Sequence, residues 1–98
     1  MSFANVAREL NRSPECLNAT LAWTDNVGDG ALVENDVTVA GAALGDFVLV
    51  SCSADLAGCT LSAYVSAADT VTIVVDNNTG AAMNTDVTFY VLVIPKIG

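Results

Sequence analysis

Polar and apolar residues alternate with a period of two over six stretches of this chain, the signature of strands that bury one face. Leu17, Ala19, Leu21 and Trp23 alternate with Asn18, Thr20, Ala22 and Thr24. In residues 32–39, Val37 and Val39 fall on one side and Asp36 and Thr38 on the other. In residues 47–53, Phe47, Leu49 and Ser51 oppose Val48, Val50 and Cys52. Both sides of that stretch are largely apolar, which predicts burial on two faces or an interface. Residues 60–65 alternate Leu61, Ala63 and Val65 with Thr60, Ser62 and Tyr64. Residues 70–76 turn Val71, Ile73 and Val75 inward, and residues 87–94 set Val87, Phe89, Val91 and Val93 against Thr88, Tyr90, Leu92 and Ile94. Pro95 stops the last strand.

Turn chemistry separates these stretches. Residues 25–30 (Asp-Asn-Val-Gly-Asp-Gly) and 76–80 (Asp-Asn-Asn-Thr-Gly) are rich in residues that tolerate positive φ. Residues 41–45 form a small-residue connection, 54–58 a turn, and 66–69 a short polar turn. Residues 81–85 fit a short strand or a loop equally well. Such spacing predicts an all-β fold, an antiparallel β-sandwich of jelly-roll or immunoglobulin-like type. Its core is expected to hold Leu21, Trp23, Val37, Val39, Phe47, Leu49, Leu61, Val71, Ile73, Phe89 and Val91.

Residues 1–16 break the pattern. Phe3, Val6, Ala7 and Leu10 fall near helical spacing, with Arg8, Glu9, Asn11 and Arg12 as a polar side, and Ser13-Pro14 interrupts. An isolated helix of about 10 residues is marginal in water. An N-terminal arm over residues 1–16, extended or short-helical and ordering on a partner, is therefore expected ahead of a single sandwich domain at residues 17–98.

Composition adds a reason to dock. The 98 residues suit one domain, yet 53% are hydrophobic and only 14% charged, against roughly 25% charged in ordinary soluble domains. That is more apolar surface than one small core hides, so self-association or docking is expected. Between Cys16 and Pro95 there is no Lys, Arg or His, while nine carboxylates are present and the net charge is −8. Nucleic-acid binding needs basic surface to displace counterions, and anionic lipid needs the same. Neither nucleic acid nor membrane is an expected partner. No apolar run reaches the roughly 18–20 residues of a spanning helix, and residues 1–16 lack the apolar core of a secretory signal. The expected setting is the cytoplasm, or a particle assembled there.

Candidate chemistry is sparse. Without histidine, Ser-His and Cys-His nucleophile schemes have no base. No two carboxylates read as the spaced pair that glycoside hydrolysis needs; most sit at turns, where Asp caps its own backbone. Residues 25–36 offer Asp25, Asp29, Gly30 and Asp36 in calcium-loop positions, but Val27 stands at the third and no helices flank them. A solvated connection is expected there. Cys16, Cys52 and Cys59 are an odd number without histidine, which predicts buried free thiols, a Cys52–Cys59 bridge being the alternative, and no zinc site. Residues 41–45 lack the Lys and Ser/Thr of a phosphate loop. Asn18-Ala19-Thr20 and Asn77-Asn78-Thr79 match glycosylation acceptors, which matter only in a secreted chain. Trp23, Tyr64 and Tyr90 read as core or interface anchors, sugar binding being the weaker reading. No cofactor, metal or catalytic residue is expected.

From about Val37 to Gly80, nearly half of the chain, the sequence resembles a family of small proteins associated with tailed-bacteriophage heads. The resemblance is carried by Val37-Thr38-Val39 and Gly41-Ala42-Ala43-Leu44-Gly45-Asp46-Phe47-Val48-Leu49. It continues through Ser51, Ser53, Asp55-Leu56, Gly58 and Thr60-Leu61, then Ala63-Tyr64-Val65-Ser66-Ala67-Ala68-Asp69-Thr70-Val71-Thr72, Asn77 and Thr79-Gly80. It implies a β-sandwich decoration or cement protein on the outer capsid surface, a virion structural protein that clamps neighbouring copies of the major capsid protein and acts as a homotrimer. It does not extend to residues 1–16. There Phe3, Val6 and Leu10 are expected as apolar anchors to the capsid, and Arg8 and Arg12 as partners for its carboxylates. The competing expectation is a receptor- or glycan-binding module of a head fibre or tail, which needs an exposed aromatic cluster.

Overall fold

The computed structural model describes residues 17–84 and 86–96. Six strands form: β1 (Leu17–Trp23), β2 (Leu32–Thr38), β3 (Phe47–Cys52), β4 (Thr60–Ala67), β5 (Thr70–Asp76) and β6 (Val87–Ile94). Each follows one of the alternating stretches, β4 running on to Ala67 past an irregularity between Val65 and Ala67. They make two antiparallel three-stranded sheets, ordered β1-β6-β3 and β2-β5-β4, whose inner faces share one core. The β-sandwich expected from the sequence is the fold. Its pairing is nested: the first strand lies beside the last and the second beside the fifth. A ribbon rolled on itself gives this order, so of the two sandwich types the jelly roll is the nearer description. Residues 81–85, left open by the pattern, contribute an isolated bridge between Met83 and Val27.

Val71, Ile73 and Val75 of β5 meet Phe89, Val91 and Val93 of β6 at the centre, all of them buried. Trp23 is 1% exposed and sets its ring edge-on to Phe89, centroids 5.1 Å apart at 88°. The register explains the contact: Trp23 lies opposite Val87, and Phe89 opposite Leu21, so the two rings are diagonal neighbours on one face. Such a pair adds about 0.5–1.5 kcal/mol to what burial alone contributes.

Strand β3 corrects the expected core. Phe47 and Leu49 point outward, 53% and 55% exposed, and Val48, Val50 and Cys52 pack inward. Alternation in this stretch is apolar on both sides, so period alone does not choose the inner set, and side-chain size suggests the wrong one. Pairing decides it. Val48, Val50 and Cys52 lie opposite Val93, Val91 and Phe89, the inward residues of β6. Leu21, Val37 and Leu61 face inward as expected but are half-buried. Val27, Ala42, Leu56 and Met83 join the core from connecting segments that alternation does not cover.

Each end of the sandwich is tied by one polar side chain. At one end Asn77 is wholly buried. Its amide donates to the carbonyls of Val27 (2.9 Å) and Ala81 (2.8 Å), while its Oδ1 accepts from Thr79 N (3.1 Å) and Thr79 Oγ1 (2.8 Å). Its backbone bonds both ways across the same gap, accepting from Gly30 (2.7 Å) and donating to Ala31 (3.0 Å). At the other end Asp69 turns the β4–β5 hairpin at φ 62°, which Asp tolerates better than most residues. Its NH donates to Ala42 O and its carbonyl accepts from Val39 N, both at 2.9 Å, and Oδ1 accepts from Gly41 N at 2.8 Å. The β2–β3 connection is held against the hairpin by these three bonds.

Two outcomes follow from these contacts. Phe89→Ala opens a cavity under Trp23 and costs about 3–5 kcal/mol, a large share of the about 5–15 kcal/mol expected of a domain this size. Asn77→Ala leaves the Val27 and Ala81 carbonyls without their donor and costs about 2–4 kcal/mol. Urea unfolding followed by the emission of Trp23, the single tryptophan, measures both; midpoints equal to wild type would refute these roles.

Candidate docking surface

Period two gives each sheet an outer face as well as an inner one, and the two outer faces differ in kind. On β1-β6-β3 the outward positions are Asn18, Thr20 and Ala22, then Thr88, Tyr90, Leu92 and Ile94, then Phe47, Leu49 and Ser51. None carries a charge. The apolar members follow β3 and β6 as a stripe, Phe47 opposite Ile94 and Leu49 opposite Leu92, with Tyr90 next along and 47% exposed. Asn18 and Thr20 on β1 give the stripe one polar border. A shallow groove of about 380 Å³ runs over this face between Asn18, Thr20, Leu49, Ser51, Tyr90 and Leu92.

The outer face of β2-β5-β4 is acidic. Glu34, Asp36 and Asp76 project from it among Leu32, Thr38, Thr60, Ser62, Tyr64 and Ser66, with no cation among these strand positions. The surrounding side chains cover Thr72 and Val74 at its centre. Thr72 Oγ1 donates to Asp36 Oδ1 at 2.7 Å and lies 2.7 Å from Ser66 Oγ, so the central strand is bonded to both of its neighbours.

A rigid corner borders the apolar stripe. Asp46, just ahead of Phe47, accepts from Lys96 N (Oδ1, 3.0 Å) and from Ala43 N (Oδ2, 3.0 Å). Lys96 Nζ turns back to donate to Leu44 O at 3.2 Å. The lysine stem lies over Gly45, where φ is +93° and a Cβ would come within 3.0 Å of Lys96 Cδ. The backbone angle calls for glycine. Leu44 stands out from this corner, 62% exposed.

The residues singled out for chemistry do not converge. Asp25 Oδ2 accepts from Asn35 Nδ2 (2.8 Å), Asp29 Oδ1 from Gly80 N (2.9 Å) and Asp36 Oδ1 from Thr72. Asp36 points outward from β2 and Asn35 inward, so the stretch read against a calcium loop is part strand, its carboxylates spent on separate partners. Among the described residues no three His, Cys, Asp or Glu side chains gather as a metal site. Cys52 and Cys59 are free thiols and half-buried, Cys52 Sγ donating to Ala54 O at 3.1 Å; they are not bridged. Tyr64 and Tyr90 stand on opposite faces of the sandwich, so they build no common aromatic platform. The expected capsid-binding residues Phe3, Val6, Arg8, Leu10 and Arg12 lie outside the described residues. Among the described residues no helix is long and apolar enough to cross a membrane.

The stripe on β3 and β6 was within reach of the sequence, because residues 47–53 and 87–94 are apolar on both sides of the alternation. Its neutrality was not, since that depends on which strands become neighbours. No family model, curated protein or solved structure matches the chain.

The corner has a pH signature. The Asp46 carboxyl is held below its ordinary value of 3.8, chiefly by the Lys96 backbone NH and then by that of Ala43, against an opposing effect of burial and with the Lys96 charge adding least. A depressed folded-state value stabilises the fold at pH above the ordinary value, and the contribution is lost as pH falls below about 3.8. Asp46→Asn, whose amide cannot accept both NH groups, is therefore less stable than wild type near neutrality. The gap in urea midpoint closes as pH drops through that window. A gap independent of pH would refute the assignment.

Proposed function

We propose that this chain is a virion structural protein, a decoration or cement subunit on the outer surface of a tailed-phage head. The observation that carries the reading is the contrast between one uncharged, partly apolar sheet face and another that carries Glu34, Asp36 and Asp76, on a sandwich whose connections are held by Asn77, Asp69 and Asp46. The resemblance over residues 37–80 supports the same reading. In this proposal the subunit works mechanically: bound across joints between major capsid proteins, it adds buried area that must be separated before the shell opens. A standard contact buries about 800 Å² per partner, and many copies on one shell multiply the effect. Residues 1–16 supply the shell contact, with Phe3, Val6 and Leu10 as apolar anchors and Arg8 and Arg12 facing shell carboxylates. The acidic outer face keeps a crowded particle surface soluble.

The test is made on particles. Genome-filled heads of a phage encoding this chain should carry it in fixed proportion, and heads assembled without it should release DNA at a lower temperature. Heads lacking the chain altogether, or equally heat-resistant without it, overturn the proposal. Chain lacking residues 1–12 should fail to bind such heads; full decoration by it removes the role given to the arm.

A further inference from the structure

The neutral face of β1-β6-β3 needs an occupant. Phe47, Leu49 and Tyr90 leave about half of their side chains in water, and aromatic side chains carry roughly 150–250 Å² each. The three together expose roughly 300 Å² of apolar surface, a patch of the size that on soluble proteins is often functional. With Leu92, Ile94 and the polar border, the area approaches the low end of specific protein contacts.

From this geometry we infer that the occupant is a second copy of this chain, seated face to face on the β3–β6 stripe. The inference rests on the docking reading above and names the partner of that one surface. Charge selects the partner. With a net charge of −8, two copies repel at almost any contact, because the described carboxylates lie on the β2-β5-β4 face and in the connecting segments. Only a contact made of uncharged strand positions brings two copies together without opposing carboxylates in a desolvated joint, which would be costly. A foreign partner has no such restriction, and a neutral face gives it no charge to recognise. Residues 1–16 of the same chain fit less well, since Arg8, Glu9, Arg12 and Glu15 would be laid on a surface holding no charged partner. A stripe matched to itself about a two-fold axis makes an isologous contact, Leu49 and Leu92 near its middle and Asn18 and Thr20 at the rim.

The experiment uses the full chain at tens of micromolar, with mass measured by light scattering. Wild type should give an even multiple of the one-chain mass, a two-fold pair in place of the homotrimer that the resemblance implies; a mass of three chains overturns the inference. Leu49→Glu and Leu49→Lys, each with wild-type circular dichroism, should each weaken association about 100-fold, since a charge at the centre of the joint is left unpaired. Mixing the two variants should restore association, because Glu now faces Lys only when one copy meets another through this face. Thr20→Glu, on the rim, should also weaken association, though by less, and serves if position 49 disturbs the fold; a mixing rescue is expected only at position 49, because rim positions of the two copies lie on opposite sides of the axis. Wild type of one-chain mass, or association unchanged by Leu49→Glu, overturns the inference. So does association that appears only once residues 1–16 are deleted, which would assign the face to the chain's own arm. Binding of wild type to heads is scored separately. One-chain wild type that still decorates heads defeats this inference alone, and a self-associating chain that binds no head defeats the function proposed above and leaves this contact standing.

Discussion

Side chains on a strand alternate, so two stacked sheets have one shared interior and two exteriors, and every inward residue is bought with an outward neighbour. In this chain the interior is filled by the central strands: β5 and β6 supply Val71, Ile73, Val75, Phe89, Val91 and Val93. That layer is full before the apolar residues run out. The surplus appears on the far side of β3 and β6, as Phe47, Leu49, Leu92 and Ile94. The apolar stripe is thus the remainder of a composition too apolar for one thin core.

The same rule sorts the charge. Carboxylates cannot enter the shared layer unpaired, and the strands of β1-β6-β3 contain none. They collect on β2-β5-β4 and in the connections, where several are engaged: Asp36 with Thr72, Asp69 with Gly41, Asp46 with Ala43 and Lys96. One exterior becomes neutral and the other acidic.

Much of the fold was legible because alternation, β-branched residues and turn clusters agree along the chain. Residues 70–76 and 87–94 match their strands in full. What failed is instructive. In residues 47–52 two apolar sets compete, and only the pairing with β6 shows that the smaller valines go inside. Asn77 reads as one of several turn residues, and nothing in its neighbours announces that its side chain is wholly buried between two loops. Val27 and Met83 lie in segments without alternation, yet their bridge closes one end of the core. These are long-range facts, and a local pattern carries none of them.

The nested pairing also bears on how the protein is made. Leu17 at the start of β1 lies opposite Val93 near the end of β6, and β3 also needs β6 before it has any hydrogen-bonded neighbour. A nascent chain leaving the ribosome can form the β4–β5 hairpin early, but its first sheet has no central strand until β6 has emerged. The topology therefore defers completion of this sheet until β6 is available, and its reliance on distant pairings makes that step slow compared with a helical protein of similar length.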